Sequence, residues 1–550
     1  MRDERFLEKD EIENLLTAEG NCRGGYVLHN SRQGINYSYV TEGNQLVLGV
    51  PGTGKTRRQL IPTLMSLIRA NESFCVFDPK GEIYDATAHL ISDSTKTYCI
   101  DFRNPTRSSI KVNPLATPYK YFVSGDLEEQ QIGTEMIENF VAALYSDKTT
   151  ADAFWPLSAR NLTAGIIFSL FLLAPSPEYV NLTAVYSILS IIEERFDCKT
   201  IGTSLVELLP PDSVAAMLIR AYTGCSAHET RAGILVTAME GLLPYVRSDA
   251  IKVMLSKDDL HIKDIDGSIP ISVYIILPDE NKLYDPIAGT LVDQLFQHFI
   301  RIAHSKYQGR LPVRLNFLLD ELGQIGNAIP GLSKYMAAAR SRNIRISLVL
   351  QALSQLDEIY GSSNAATIRA ASDIVCAFRT NNIDTLNQLS TLCGQRNRLC
   401  ADGTERSEPL ISPAQLSQMV TGQALVMISG KKFVTQLSDY TETGDYSPTG
   451  NRRRLPCKKG RSQSKPKIFD LMGFLKRRKV EEIKSQAKDK DEFDYLMKKA
   501  VVQENVDSEI DKMIAEIDAE IARCDKEMRD AMDKLPDVPL STDSGSGENG

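Results

Sequence analysis

No Cys-x-x-Cys pair occurs in this 550-residue chain, and none of its ten cysteines clusters with histidine at zinc-site spacing. A disulfide-rich secreted scaffold and a zinc-held module are therefore excluded. Thiols scattered through so large a chain suit a reducing compartment. No secretory leader is predicted, because the first residues, MRDERFLEKDEIENLL, are dense in charge. Long apolar runs are scarce as well. The most apolar, 162–174 (LTAGIIFSLFLLA), falls short of the roughly 20 residues that a bilayer span needs, and Arg160 precedes it. It predicts a buried helix and a soluble chain. No internal repeat is visible. There is no excess of positive charge either: 63 Lys+Arg against 71 Asp+Glu give a net −8. That balance excludes a nucleic-acid binder held by bulk charge, but not one with a local basic surface. What the chain does have is 42% apolar and 24% charged residues, enough to bury a real core and too much for wholesale disorder. Its length predicts two or three domains.

Charge is unevenly spread. Residues 451–479 hold twelve Lys/Arg and one Asp, whereas 481–550 hold twenty acids and ten bases. The basic segment suits DNA phosphates, anionic lipid or a protein partner, or else a solvated tail. Its apolar stretch IFDLMGFL favours docking over solvation. The acidic part carries Ile510, Met513, Ile517, Ile521, Cys524, Met528 and Met532 at spacings of three and four. This is one apolar stripe on a charged helix, suited to a coiled coil, to a docking helix or to packing on its own domain. The last residues, STDSGSGENG, read as a disordered end.

Up to about residue 450, β-rich runs alternate with helical stretches. Strands are predicted at 45–50, 74–77, 97–102, 271–277, 315–319, 346–350, 373–378 and 424–428. Several are apolar on both faces, as strands buried between helical layers are. The alternation predicts an α/β fold with a mainly parallel sheet. From 126 to 263 the pattern is helical, which predicts an all-α insertion that splits the α/β domain.

One motif carries chemistry. Gly49-Val50-Pro51-Gly52-Thr53-Gly54-Lys55-Thr56 fits G-x-x-x-x-G-K-[ST], with a strand-like run before it and a helix-like run after it. Such a loop points backbone N–H groups at phosphate oxygens. Gly49, Gly52, Thr53 and Gly54 would shape the cradle. Lys55 would neutralise the β/γ-phosphates of ATP, and Thr56 would offer its hydroxyl to Mg²⁺. A P-loop needs an acidic partner, expected here on a neighbouring strand. The run 315–319 supplies it by ending in Asp320-Glu321. Asp320 would hold the hydration shell of Mg²⁺ and Glu321 would act as general base. Gln351, after the next apolar strand, would sense the γ-phosphate or position water. Arg340 and Arg342 are candidates to reach a neighbouring subunit's γ-phosphate in an oligomer.

Several segments together resemble the TraG/TrwB-type coupling proteins of bacterial conjugation and type IV secretion. They are the P-loop, Asp78-Pro79-Lys80-Gly81-Glu82, Asn113-Pro114-Leu115, Phe154-Trp155 with Ala159, Leu277-Pro278-Asp279, LLDELGQIGNAIPGL from Leu318, and RSRNIRISLVLQALSQLDEIYG. The resemblance covers roughly residues 35–440. It implies a RecA-like P-loop ATPase that assembles as a homo-hexamer, brings a relaxase–DNA complex to a secretion channel and drives DNA transfer. By position it matches Lys55, Thr56, Asp320, Glu321 and Gln351 to the nucleotide site, and Arg340 to the arginine finger. Asp78 and Lys80 fall in a matching motif without an assigned role. The expected division is an N-terminal segment (1–34), a RecA-like domain (35–125 and 264–440), an all-α domain (126–263), a basic linker (441–479), a helical or coiled-coil tail (480–535) and a disordered end (536–550). Members of this family commonly begin with two transmembrane helices, and nothing before residue 49 is apolar enough for one. The expectation is a cytoplasmic chain recruited to the inner face of the membrane by a separate small membrane protein or by the channel. An FtsK-like DNA translocase outside secretion, or an adaptor that binds ATP without hydrolysing it, are the alternatives.

Overall fold

The computed structural model describes residues 4–20, 23–93, 95–106, 108, 110–145, 153–278, 280, 282–325, 329–399, 405–443, 465–486, 495–498 and 523. The chain forms two compact units, Met1–Leu189 with Asp212–Phe469, and Ser190–Pro211 with Asp470–Gly550.

In the larger unit, strands β1 (Thr17–Ala18), β2 (Tyr26–Asn30) and β3 (Asn36–Tyr39) form a small antiparallel sheet in the order β1-β3-β2. β2 and β3 pair across the 34/35 boundary expected from the sequence, and Tyr26 and Leu28 lie in the main hydrophobic core. The next three strands are β4 (Gln45–Leu48), β5 (Ser73–Asp78) and β6 (Lys96–Asp101). In the smaller unit, two-residue strands β7 (Arg195–Phe196) and β8 (Lys199–Thr200) pair with each other. The larger unit continues with β9 (Ile271–Ile276), β10 (Leu315–Leu319), β11 (Ile344–Leu350), β12 (Ile374–Ala377), a hairpin β13 (Gln395–Leu399) and β14 (Glu405–Pro409), then β15 (Gln423–Ile428) and β16 (Lys431–Gln436).

Nine of these strands form one sheet in the order β16-β15-β12-β4-β11-β10-β5-β9-β6. From β12 to β6 every pairing is parallel, and β15 and β16 add an antiparallel edge. All eight strands predicted from the sequence lie in this sheet. β4, β5, β9, β10 and β11 are buried at every position, because helices cover both faces. β16 was not predicted; it is an edge strand with exposed residues at both ends. The architecture is that of a RecA-like P-loop NTPase.

The crossover from β6 to its parallel neighbour β9 carries the helical stretch, which in the larger unit includes Ala116–Phe122, Leu127–Leu144, Phe154–Leu173, Val214–Thr223, His228–Val246 and Asp249–Met254. Phe154–Leu173 is the one helix among the described residues long and apolar enough to cross a membrane. The structure extends it beyond the apolar run to 20 residues by including the FWPLSARN turn. Its length thus fits a span, but residues 162–171 are all buried within the protein, so the helix serves as core. Trp155 stands against Gly233 of helix His228–Val246, where an added Cβ would meet the indole at 2.6 Å.

A buried histidine ties this region to the sheet layer. Helix Asp285–Lys306 carries His298, whose Nε2 lies 2.6 Å from the Ile265 carbonyl and whose Nδ1 lies 2.8 Å from the Tyr121 hydroxyl. A carbonyl only accepts, so Nε2 holds the proton and Nδ1 accepts from Tyr121. Burial pushes the imidazole down from 6.5 to about 4. In the unfolded chain the ring protonates below its ordinary value, whereas in the fold it stays neutral. The stability of that arrangement is full above about pH 6.5 and is lost as pH falls toward 4, by up to about 3 kcal/mol. Urea-unfolding midpoints at pH 7 and pH 5 should show this drop, and His298→Gln should flatten it.

In the smaller unit, helix Ile201–Leu208 follows β8, and helix Leu471–Gln486 supplies buried Leu471, Leu475 and Ile483. Lys479 pairs with Asp197 at 2.8 Å. This helix runs through the 479/480 boundary expected from the sequence. In the larger unit the Lys467 ammonium pairs with Glu178, and its carbonyl accepts from Asn181 at 2.8 Å. Lys467 and Lys479 of the basic segment are thus held by contacts within the chain. Residues 444–464, the 510–532 stripe and the end expected to be disordered (536–550) lie outside the described residues.

Candidate functional site

The carboxyl ends of β4, β10, β11 and β5 meet at one edge of the sheet, where parallel α/β proteins place their ligand sites. β4 runs directly into the glycine loop. Gly49, Gly52 and Gly54 all have positive φ, at 154°, 81° and 102°. A Cβ on Gly49 would stand 2.9 Å from both Phe378 Cβ and Thr53 Oγ1, so the loop closes this tightly only with glycine there. The loop is pinned from outside. Gly49 N–H donates to Leu350 O (3.2 Å), Val50 N–H to Arg379 O (3.0 Å) and Gly422 N–H to Thr53 O (3.2 Å). The loop then enters a wide helical turn, Lys55–Leu60, and helix Ile61–Arg69.

Lys55 is buried, and its ammonium donates to the Gly49 and Val50 carbonyls. Burial lowers its pKa, against the opposing pull of Asp320 and Glu321. Thr56 Oγ1 donates to Asp320 Oδ2 at 2.9 Å. These two groups were expected to meet from neighbouring strands, and here the structure differs. β11 lies between β4 and β10, so the loop and its helix arch over the end of β11 to reach Asp320. Gln351, one residue past β11, follows the strand that separates the two. Its side chain has no hydrogen-bond partner among the described residues.

Burial pushes the Asp320 carboxyl up to about 7; the Thr56 hydrogen bond opposes this and the Glu321 charge adds to it. Glu321 sits in the left-handed region at φ 49°, and its N–H donates to Asp320 Oδ1 at 3.0 Å. A non-glycine residue in that region costs about 1–2 kcal/mol. No sequence signal announced this turn.

The arginines are elsewhere. Arg340 precedes β11, at the opposite end of that strand from Gln351. A seven-residue strand spans roughly 23 Å, so Arg340 is not beside its own chain's P-loop. Its side chain is 63% exposed, with one guanidinium nitrogen 3.5 Å from Asp373. Arg342 instead donates to the Ala338 carbonyl (2.8 Å) and Ser341 Oγ (3.2 Å).

Sequence reasoning also missed the brace on the far side of the P-loop helix. Arg57 makes a bidentate pair with Asp439 (2.8 and 2.9 Å) and lies 4.9 Å from the centre of the Tyr440 ring. Arg58 donates to Leu437 O at 2.8 Å. These partners stand some 380 residues away in sequence, and no local pattern links them.

Residues 5–436 match the family described as type IV secretory system conjugative DNA transfer. The chain belongs to that family. It is 26% identical over 197 residues to the conjugal transfer protein TraG of Agrobacterium fabrum, a match spanning 32% of this chain and 28% of that protein. Among solved structures it is similar to the bacterial conjugative coupling protein TrwBdeltaN70 with sulphate, at a TM-score of 0.58 and 16% identity over 80% of this chain and 94% of that one. It is equally similar to TrwB with the non-hydrolysable ATP analogue ADPNP, at a TM-score of 0.58 and 17% identity over 81% and 96% of the two chains. TrwB with ADP and Mg²⁺ gives a TM-score of 0.58 at 16% identity over 80% and 94%. These likenesses establish the fold. The sheet and loop described above thus frame a P-loop site in a conjugative DNA transfer protein.

Proposed function

We propose that this chain is an ATP-hydrolysing coupling protein of a conjugative type IV secretion system, which brings a relaxase–DNA complex to the channel and drives DNA transfer. The observation that carries the reading is the Thr56–Asp320 contact beneath the glycine loop, in a chain of the conjugative DNA transfer family. A hydroxyl and a carboxylate facing each other form an oxygen-only donor set, which suits a hard divalent cation such as Mg²⁺. Thr56 and Asp320 would hold that ion, Asp320 through water, and it would neutralise charge between the β- and γ-phosphates of ATP. The loop N–H groups and Lys55 bind the phosphates. Gln351 contacts the γ-phosphate or its water. Glu321 takes the proton of the attacking water.

Arg340, remote from its own loop and exposed, serves a neighbouring copy, which favours a ring of identical subunits, a homo-hexamer by analogy with the family. DNA, relaxase and channel proteins are the partners this role requires. Recruitment to the inner face of the membrane, by a separate small membrane protein or by the channel, belongs to the same reading.

The test is ATP turnover of the purified chain, alone and with single- or double-stranded DNA, beside Lys55→Ala. The expected result is turnover that DNA stimulates and that Lys55→Ala lowers by at least about 10²-fold with weaker nucleotide binding. Wild-type turnover in Lys55→Ala would remove the site assignment. Nucleotide binding without turnover, with DNA and membrane partners present, would favour the adaptor reading.

A further inference from the structure

The segment Asp78-Pro79-Lys80-Gly81-Glu82 has no part in the site described so far, yet it begins there. β5 and β10 are parallel neighbours, with Phe77 opposite Leu319. The residues that follow are Asp78, the last of β5, and Asp320, the first after β10. Residues in step on adjacent parallel strands point to the same face, on backbones about 4.8 Å apart. Two carboxylates therefore stand side by side at the carboxyl edge of the sheet, and the Asp78 charge is among those that act on Asp320. Like charges set directly opposite in a sheet are destabilising, so their juxtaposition asks for a compensating group.

Asp78 is fully buried. One of its oxygens has a clear structural role. Oδ2 accepts from the Tyr84 N–H at 2.8 Å and caps the turn into helix Glu82–Thr87. The other oxygen, Oδ1, is buried and has no hydrogen-bond partner among the described residues. An unpaired buried carboxylate oxygen costs on the order of 1–3 kcal/mol or more, and a cap needs only one oxygen. Among the described residues no three acidic, histidine or cysteine side chains converge closely enough to ligate an ion directly. A contact of this second oxygen with a cation through water needs no such cluster.

We propose that Asp78 is a positioning residue for the divalent cation of the nucleotide site, its Oδ1 accepting from the hydration shell that Asp320 holds on the other side. This rests on the nucleotide-site reading above. It gives the carboxylate two roles at once. Oδ2 fixes the loop, and the loop in turn fixes Oδ1 toward the cation's water. Outer-shell partners of this kind typically change metal affinity by 10–100-fold when removed.

Asp78→Asn separates the two roles. The amide retains an oxygen to accept from Tyr84 N–H, but it loses the charge and the second acceptor. The measurement is binding of a fluorescent ADP analogue to the full chain, once in EDTA and once across a Mg²⁺ titration, with Mn²⁺ binding followed by electron paramagnetic resonance. Affinity in EDTA should match wild type, which also certifies the fold of the variant. The Mg²⁺ concentration at half-effect should rise about 10–100-fold, and Mn²⁺ should bind correspondingly less tightly. Equal losses with and without cation would mean that Asp78 serves the loop alone, and would overturn the proposal. An unchanged Mg²⁺ requirement would overturn it too. In either case wild type still binds nucleotide and the site assignment stands. A wild-type chain that binds no nucleotide in either buffer overturns both.

Discussion

Arg340→Ala is expected to lower ATP turnover by about 10³–10⁵-fold while leaving nucleotide affinity in the same chain nearly unchanged. The expectation comes from where the residue sits. It lies before β11, a strand's length from Gln351 and the P-loop, so it cannot place charge on its own chain's γ-phosphate. Its exposed guanidinium has one long contact, to Asp373 at 3.5 Å, and a half-exposed pair of that kind is worth little to stability. Loss of turnover would therefore not be loss of fold, and the thermal midpoint should move by little. The decisive form of the experiment mixes Arg340→Ala with Lys55→Ala. Each variant is inactive alone. In a mixed ring, interfaces that join an intact loop of one copy to an intact arginine of the next recover part of the turnover. Activity that stays at the level of the single variants in mixtures shown to co-assemble would remove the arginine's action in trans. Arg342→Ala is the internal control, because its guanidinium is tied to Ala338 and Ser341 within its own turn.

Glu321→Gln should bind nucleotide within a few-fold of wild type and hydrolyse it about 10²–10⁴-fold more slowly. The substitution keeps the shape of the side chain and removes the carboxylate that would accept water's proton. The left-handed backbone at φ 49° points the same way. Strain of about 1–2 kcal/mol is retained at a position where the chain turns out of β10 and sets this side chain at the mouth of the site. Glu321→Gly relieves the strain and loses the carboxylate together. It should be as inactive as Glu321→Gln without being less stable, which separates the carboxylate's role from the turn's. Single-turnover hydrolysis alongside equilibrium nucleotide binding reads both quantities. A normal rate in Glu321→Gln would reassign the base.

Much of the fold was legible in the sequence because buried parallel strands are written locally. Runs such as 315–319 and 346–350 are short, apolar on both faces and bounded by polar or turn residues, as strands buried between helical layers are. The glycine loop was legible for a related reason. Its backbone conformation admits few residue types, so Gly49, Gly52 and Gly54 declare it without any tertiary context. The N-terminal strands were not foreseen. β2 and β3 are short, and residues 26–30 join the core through partners distant in sequence: Tyr26 packs 5.0 Å from the guanidinium of Arg345, itself buried with Asn316 and Glu72. The tail helix Leu471–Gln486 was expected to begin later, because its charge resembles that of the basic run before it.

By itself the sequence determined the α/β class, the P-loop, the acidic pair and the family, since each is carried by residues adjacent in the chain. Tertiary structure alone decided that β11 separates the two halves of the nucleotide site and that Thr56 still reaches Asp320 across it. It also decided that Asp78 and Asp320 follow paired residues of β5 and β10, and that Arg340 lies a strand's length from its own loop. Strand order and register are set by which apolar faces can be buried together, and those choices link residues up to several hundred positions apart. No local spacing records them, because the free energy that selects them belongs to the packed sheet as a whole.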